Sequence, residues 1–414
     1  MSVSTDKTYT HSLTFYAWQR LKKNKLAMFG LFLICFCILI AIFGYLIAPD
    51  STPDANDQKL ELAIKPPGFK IRELIIRKNE PSHHKNIFYK MLFGEENDYK
   101  EAPIYDFEFK GNEIIYEEYT GREYNNGNKI KYNMADVIYA VDFAKPFVDE
   151  PSEGYVEFYD IDSGHQMKIK TNELKDAIIK DHIRDHKYIL GTDRAGRDML
   201  SRLIIGIRIS LAVGLIAVLL SVLIGVLLGS IAGYFRGWVD NLIMWIINVV
   251  WSIPTLLLVI AITLALGKGF WQVFIAVGLT MWVEVARVIR GQVLSLREKE
   301  FVEAGRALGF SQFRIILGHI LPNIIGPIIV LSAANFANAI LIEAGLSFLG
   351  IGAQPPTASW GAMINAHRGY IIANAAYLAF IPGLAIMFVV LAFVLLGNGL
   401  RDAFDTKTVE NSTV

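Results

Sequence analysis

The chain alternates between apolar runs long enough to cross a bilayer and polar stretches too long to be tight turns. The first apolar run, Leu26 to Ala48, carries no charge and suits a hydrocarbon core of about 30 Å. Five more follow a polar middle: Ile209 to Tyr234, Leu242 to Leu266, Phe270 to Val288, Asn323 to Phe348 and Ala373 to Gly397. The first run far exceeds the roughly 7–15-residue apolar core of a signal peptide and no convincing small-residue cleavage site accompanies it, so it reads as an uncleaved anchor. The pattern predicts an all-α polytopic membrane protein with six transmembrane helices.

Between the first and second spans the period changes. Tyr105-Asp106-Phe107-Glu108-Phe109 alternates as a half-buried strand does. Tyr155 to Ile161 repeats the alternation before a Ser163-Gly164 turn and a second run through Met167 to Lys170. Asn172 to Arg184 reads as a polar helix. Residues 49–188 are therefore expected to form a small α+β extracytoplasmic domain inserted between helices 1 and 2. The other expected boundaries are 1–48 for the cytoplasmic N-terminus and first helix, 189–407 for a five-helix transmembrane domain, and 408–414 for a cytoplasmic tail.

Charge sharpens this division. With 53% hydrophobic residues and a mean hydropathy of +0.37, the chain is not disordered. Forty acids and forty bases cancel overall, which argues against a nucleic-acid partner. From Asp50 to Lys187, however, acids outnumber bases 28 to 20, leaving a net of +8 elsewhere, so the two parts face different surroundings. The acidity of the insert could attract cations, but a solvated acidic face explains it more simply. Arg20, Lys22, Lys23 and Lys25 precede the first span and place the N-terminus in the cytoplasm. Six crossings return the C-terminus to that side. The connection between the fourth and fifth spans must then also be inside, and it carries Arg290, Arg297, Lys299, Arg306 and Arg314, whereas the short outer connections carry Lys268 and Arg368.

Pro254 interrupts the main-chain hydrogen bonding of the third span, which implies a kink buried within a bundle. Gly214, Gly225, Gly229 and Gly233 stud the second span, three of them four apart, and let helix backbones approach closely as ordinary packing or as a dimerisation face. The two cysteines, Cys35 and Cys37, point to different sides of one apolar helix and read as packing residues; they are too few for a disulfide framework or a structural zinc site.

Catalytic signatures do not emerge. The chain has no Gly-x-x-x-x-Gly-Lys-[Ser/Thr] phosphate loop, no His-Glu-x-x-His helix and no Gly-x-Ser-x-Gly elbow. His83 and His84 are adjacent rather than spaced for one helical face, which makes them poor metal ligands. Glu284 and Arg287, three apart near the end of the fourth span, could pair, and Glu343 sits near the end of the fifth. Without carboxylates spaced across the midplane a proton-driven carrier has little to work with, so the energy must come from another protein. No cofactor, metal or catalytic residue is expected.

The connection between the fourth and fifth spans holds the most specific pattern. Glu298 to Ser311 reads as a short amphipathic helix with Phe301, Ala304 and Leu308 on one face, stopped by Gly309, with Ser311 able to cap a second helix that ends at Pro322. Such an element either lies on the membrane surface or fills a groove in a partner. It closely resembles the EAA signature of ABC importer permeases, with Glu303-Ala304-Gly305, then Gly309, then Leu321-Pro322; Gly305 stands where the family usually has Ala. Leu190 to Asp198, Glu343 to Gly350, Gln354 to Met363 and the closing Gly399-Leu-Arg401-Asp402 resemble the dipeptide/oligopeptide/nickel branch, specifically its second permease type. The likeness runs over about Ile189 to Lys407, and the insert is longer than usual for the family.

The resemblance implies a multi-pass subunit of the bacterial cytoplasmic (inner) membrane, paired with a different permease as a heterodimer, two cytoplasmic ATPase subunits and an extracytoplasmic solute-binding protein. It makes Glu303, Ala304, Gly305 and Gly309 part of an ATPase coupling helix and has Leu321-Pro322 lead the chain back into the membrane lipid. Arg306 and Arg314 would either add charged contacts at the rim or be solvated or lipid-facing. On the fifth span Ser332, Asn335 and Asn338 recur at i, i+3 and i+6; they either line the translocation path or join helices by hydrogen bonds. A mechanotransmission subunit, acting on an external partner without moving solute, is the competing expectation.

Overall fold

A computed structural model describes residues 13–82, 85–121, 127–150, 154–267, 269–372 and 374–405. The His83-His84 pair, Lys268, Ala373 and the tail from residue 406 lie outside the described residues. In chain order the helices begin with α1 (Leu13–Lys23), α2 (Lys25–Ile47), α3 (Ile87–Phe93), α4 (Met134–Ile138) and α5 (Thr171–Ala177). They continue with α6 (Met199–Phe235), α7 (Gly237–Trp251), α8 (Thr255–Leu266), α9 (Phe270–Arg297) and α10 (Glu300–Ala307). The last are α11 (Gln312–Ile315), α12 (Ile325–Phe348), α13 (Trp360–His367) and α14 (Tyr377–Phe404). The strands are β1 (Phe69–Arg77), β2 (Tyr99–Lys110), β3 (Glu113–Glu118), β4 (Lys129–Asn133), β5 (Val148–Glu150), β6 (Tyr155–Tyr159), β7 (Gln166–Lys170) and β8 (Ile183–Tyr188).

These elements fall into two compact units. One draws on Met1–Ala41, Gly206–Arg368 and Ala379–Val414, the other on Ile42–Ile205 and Gly369–Leu378. Five continuous helical runs are long and apolar enough to cross a membrane: Lys25–Ile47, Met199–Phe235, Trp271–Arg297, Gln312–Phe348 and Tyr377–Phe404. The expected third span departs from a kinked helix. It is two helices, α7 and α8, meeting at 90° across Ser252-Ile253-Pro254. Pro254 precedes α8 at φ −55° and ψ 124°, an extended conformation that ends one helix before the next begins. The apolar runs therefore number five, or six when the bent pair counts as one span.

In the helical unit α1 lies beside the end of α14. Arg20 Nη1 donates to the carbonyls of Ala403 and Asp405 at 3.4 and 3.2 Å, and Ala17, Leu21, Ala27 and Ala403 share one apolar cluster. Asn24 caps α2 by accepting from the Ala27 amide at 3.1 Å. The ends of α6 and α9 are likewise neighbours. A Cβ at Gly225 would lie 2.5 Å from Val285, one at Gly229 2.5 Å from the Ala286 carbonyl, and one at Gly233 2.8 Å from the Arg290 carbonyl. The four-residue spacing read from the sequence is thus the packing ridge of α6 against α9.

The second unit is built on a five-stranded antiparallel sheet in the order β4-β3-β2-β1-β8, with a three-stranded sheet β5-β6-β7 beside it. Leu74, Ile104, Ile114, Tyr116, Met134, Phe158 and Leu174 form its core. The expected polar helix over 172–184 is corrected here: α5 ends at Ala177, one π-type turn covers Ile178–His182, and Ile183–Tyr188 is a strand pairing with β1. Its polar composition hid an edge strand whose hydrogen bonds come from the neighbour rather than from itself.

A buried ion network pins the start of this unit to the sheet. Lys59 Nζ donates to Glu73 Oε1 at 2.8 Å and Glu101 Oε2 at 2.6 Å, while the Tyr188 hydroxyl donates to Glu73 Oε1 at 3.0 Å. Arg184 adds a contact to Glu101. Burial alone would lower the Lys59 pKa, but the two carboxylates outweigh it and hold the ammonium above its ordinary value. Burial raises Glu101 and Lys59 lowers it, and the balance leaves that carboxyl below its usual range. The Lys59 carbonyl is also where Gly196 becomes obligatory: Gly196 has φ +74°, and a Cβ there would stand 1.7 Å from that oxygen. Asp193 closes the turn by accepting from Arg197 Nε and Nη2, each at 2.7 Å.

Candidate functional site

The connection after α9 folds as a capped, one-sided helix. Glu300 and Glu303 occupy the first turn of α10, where carboxylates face the exposed amides of a helix N-terminus. Its C-terminus closes in a Schellman arrangement: the Phe310 amide donates to the Gly305 carbonyl at 3.0 Å and the Gly309 amide to the Arg306 carbonyl at 3.0 Å. Gly309 takes φ +75°, which a side chain would strain. Ser311 then caps α11, its Oγ accepting from the Arg314 amide at 3.4 Å.

Two faces of α10 meet different surroundings. Val302 is fully buried, in one cluster with Val285, Ile289 and Val293 of α9 and with Ile315, Ile316, Ile320 and Ile324. Gly305 is buried on the same side, with Phe310 and Ile315 at ordinary contact distance from where its Cβ would be. Phe301, Glu303, Ala304 and Leu308 are exposed, Leu308 by 73%. The expected apolar face is present, but it points away from this chain. The inward face of Val302 and Gly305 was not legible, because a short helix with two apolar stripes does not say which one its own bundle takes.

Pairings that the sequence did not reveal fix the base of α10. The Tyr234 carbonyl accepts from Arg297 Nη1 at 2.5 Å, and the Arg297 and Arg306 guanidiniums stand 5.6 and 5.4 Å from the Tyr234 ring centre. Arg306 therefore sits against its own chain. Asp240 of α7 receives a two-pronged contact from Arg290 of α9, at 2.5 and 2.6 Å. Arg236 pairs with Glu298 at 2.5 Å. The one signal for this cluster was the density of basic residues. Arg287 reaches Asn248 at 3.3 Å and stacks 3.5 Å over Trp251, rather than toward Glu284.

From α11 the chain re-enters α12 through a π-type turn at Ile316–Ile320 and a 3₁₀ turn at Leu321–Ile324. Leu321 and Pro322 lie at this switch, where proline's missing N–H costs no α-helical bond. The polar stripe beyond it is divided. Ser332 donates back to the Ile328 carbonyl at 2.8 Å; Asn335 is 1% exposed, and its Nδ2 finds no partner among the described residues; Asn338 is exposed. Steps of three residues drift around a helix, so the three do not share one environment.

At the far end of α12 the Gln354–Trp360 segment is bound down rather than loose. Glu343 Oε1 accepts from the hydroxyls of Ser347 and Ser359, both at 2.7 Å, and a Cβ at Gly361 would lie 2.6 Å from the Ala344 carbonyl. Trp360 is buried over Gly206 of α6. Among the described residues no three His, Cys, Asp or Glu side chains converge as metal ligands.

Two family models match. "Binding-protein-dependent transport system inner membrane component" covers residues 225–410, and "N-terminal TM domain of oligopeptide transport permease C" covers residues 12–67. The chain is 46% identical over 217 residues to the "Glutathione transport system permease protein GsiD" of Escherichia coli O6:K15:H31 (strain 536 / UPEC), covering 52% of this chain and 71% of that protein. The protein of the same name from Shigella flexneri serotype 5b (strain 8401) is 47% identical over the same shares. The methionine ABC transporter MetNI, solved in inward-facing form, aligns over 50% of this chain and 98% of its own at 17% identity with a TM-score of 0.41, a likeness too weak to carry weight. By identity and coverage against the curated relatives, the chain belongs to the dipeptide/oligopeptide-type ABC transporter permeases, multi-pass proteins of the inner membrane.

Proposed function

We propose that this chain is one permease subunit of an ATP-driven importer, forming half of a translocation path for peptides or similar small solutes and receiving force from cytoplasmic ATPases through α10. The observation that carries the reading is the two-sided character of that helix. Val302 and Gly305 fasten it to the bundle, while Phe301, Ala304 and Leu308 face outward beside the exposed Glu303. An apolar helix face held open on a rigid base is suited to a groove in a partner. A push on α10 reaches α9 through Val302 and reaches α12 through Ile315, Ile320 and Ile324, so the bundle moves as a body. The partners follow: a second, different permease completing the path, two ATPase subunits that hydrolyse the nucleotide, and an external solute-binding protein. The relatives' name refers to glutathione, a small peptide, and supports that substrate class.

The topology that goes with this function has six crossings. The ends of α6 and α9 lie together, which supports a return crossing between them by α7 with α8. The described ends of the helical unit, α1 and the last turn of α14, also lie together, which supports an even number. We assign 49–188 to the outside, 189–407 to the permease domain, and both termini to the cytoplasm. The insert has a hydrophobic core of its own, which favours a second reading, mechanotransmission to an external partner. Reconstituted vesicles that hydrolyse ATP without ever accumulating solute would establish that reading instead.

The direct test is Glu303→Arg in the purified assembly. Loss of solute-stimulated ATP hydrolysis with the spans still inserted is the expected result. Normal stimulated turnover in the variant would count against coupling through α10.

A further inference from the structure

The insert carries a short helix whose apolar side chains are largely exposed. In α3, Ile87, Phe88, Leu92 and Phe93 are exposed by 62, 67, 51 and 58%, and none of its residues is buried. So much apolar surface on seven residues of a polar domain marks an interaction face. Its position identifies the other side. The Glu95 amide donates to the Ser51 carbonyl at 3.0 Å, and a Cβ at Gly94, which ends α3, would lie 2.7 Å from that carbonyl and 3.0 Å from the Tyr45 ring. Tyr45 belongs to the last turn of α2, whose Phe43, Leu46 and Ile47 are exposed as lipid-facing residues should be. The end of α3 is thus fixed level with the end of the first membrane span, within a single compact unit. Two lysines complete the pattern: Lys85 lies 4.3 Å over the Tyr89 ring, and Lys90 pairs with Glu95 at 3.0 Å. An apolar face beside a tyrosine and lysine side chains is the make-up of a helix lying in the headgroup boundary.

We propose that α3 is an interfacial foot, with Phe88 and Leu92 seated in the lipid leaflet on the insert's side of the membrane. This role goes beyond import and does not depend on α10 or its partner. The test uses the full-length chain in lipid nanodiscs, with Cys35 and Cys37 replaced by alanine. A single environment-sensitive fluorophore is placed on Phe88→Cys, on Leu92→Cys as a second reporter, or on Glu108→Cys as a solvent-facing control. Lipid brominated close to the headgroup should quench the label at 88 and at 92, with blue-shifted emission, and leave that at 108 bright; aqueous iodide should do the reverse. Quenching at 88 and 92 by iodide but not by brominated lipid would overturn the proposal. Shielding from both quenchers that appears only when a protein partner is added would overturn it too, assigning the face to that partner.

Discussion

Glu343 accepts a hydrogen bond from the Ser359 hydroxyl at 2.7 Å, joining α12 to the residue that opens α13. The same carboxylate oxygen holds Ser347. This atom helps to secure the double-proline segment to a membrane helix, where an untethered polar loop would be costly. Ser359→Ala removes one of the two hydroxyls and should weaken the attachment by about 1 kcal/mol. Hydrogen exchange should then quicken over residues 354–363 and stay unchanged in the middle of α12. Exchange over 354–363 unchanged from that of the unaltered chain would show that Trp360 packing, not the hydrogen bond, holds the segment.

Gly305 and Gly309, four residues apart, should respond oppositely to alanine. At 305 the added methyl meets Phe310 and Ile315 at 3.6 to 3.7 Å, in ordinary contact. Helix propensity then makes Gly305→Ala stabilising by up to about 1 kcal/mol. At 309 the backbone is left-handed, and Gly309→Ala should cost about 1 kcal/mol or more. Thermal unfolding of the two variants checks the sign of each.

The buried amide of Asn335 yields a prediction in which stability and transport part company. Asn335→Leu removes an Nδ2 without a partner among the described residues and should stabilise the chain by about 1 kcal/mol. If the asparagines belong to the solute path, Asn335→Leu with Asn338→Leu lowers uptake while the assembly stays intact. Unchanged uptake would remove both from the path.

The ion network of the insert sets a pH dependence. Glu101 is held below its ordinary pKa by Lys59, so it adds stability at neutral pH that is lost as the pH falls from about 4.3 through its lower folded value. Asp57, raised by burial, offsets part of this in the same acid range. Lys59 itself is raised, so its contribution is complete below about 10.4 and adds no acid step. Lys59→Met leaves Glu73 buried with fewer partners and should cost about 3 kcal/mol. It should also shrink the acid-dependent part of the loss, as followed by hydrogen exchange in β1 and β2. An acid transition identical to that of the unaltered chain would contradict the role given to Lys59.

Much of this architecture was written in the hydrophobic pattern. The spans, the glycine ridge of α6, the Gly309 stop and the Ser311 cap are local or periodic features that a linear reading can detect. Other features depend on the third dimension. Pro254 announced a break, but a right angle arises because Ser252 and Ile253 leave the helix as well. The strand Ile183–Tyr188 is polar and takes its structure from β1. Lys59 meets Glu73, Glu101 and Tyr188 across 14, 42 and 129 residues of chain, and no spacing reveals such a meeting. The outward direction of the Phe301–Leu308 face became visible only when Val302 was found in the bundle.

The most direct measurement replaces Leu308 with a photocrosslinking residue in the assembled complex. Illumination should attach this position to a cytoplasmic ATPase subunit, with a yield that changes when nucleotide binds. Crosslinks to lipid alone, or to a protein on the insert's side of the membrane, would contradict coupling through α10.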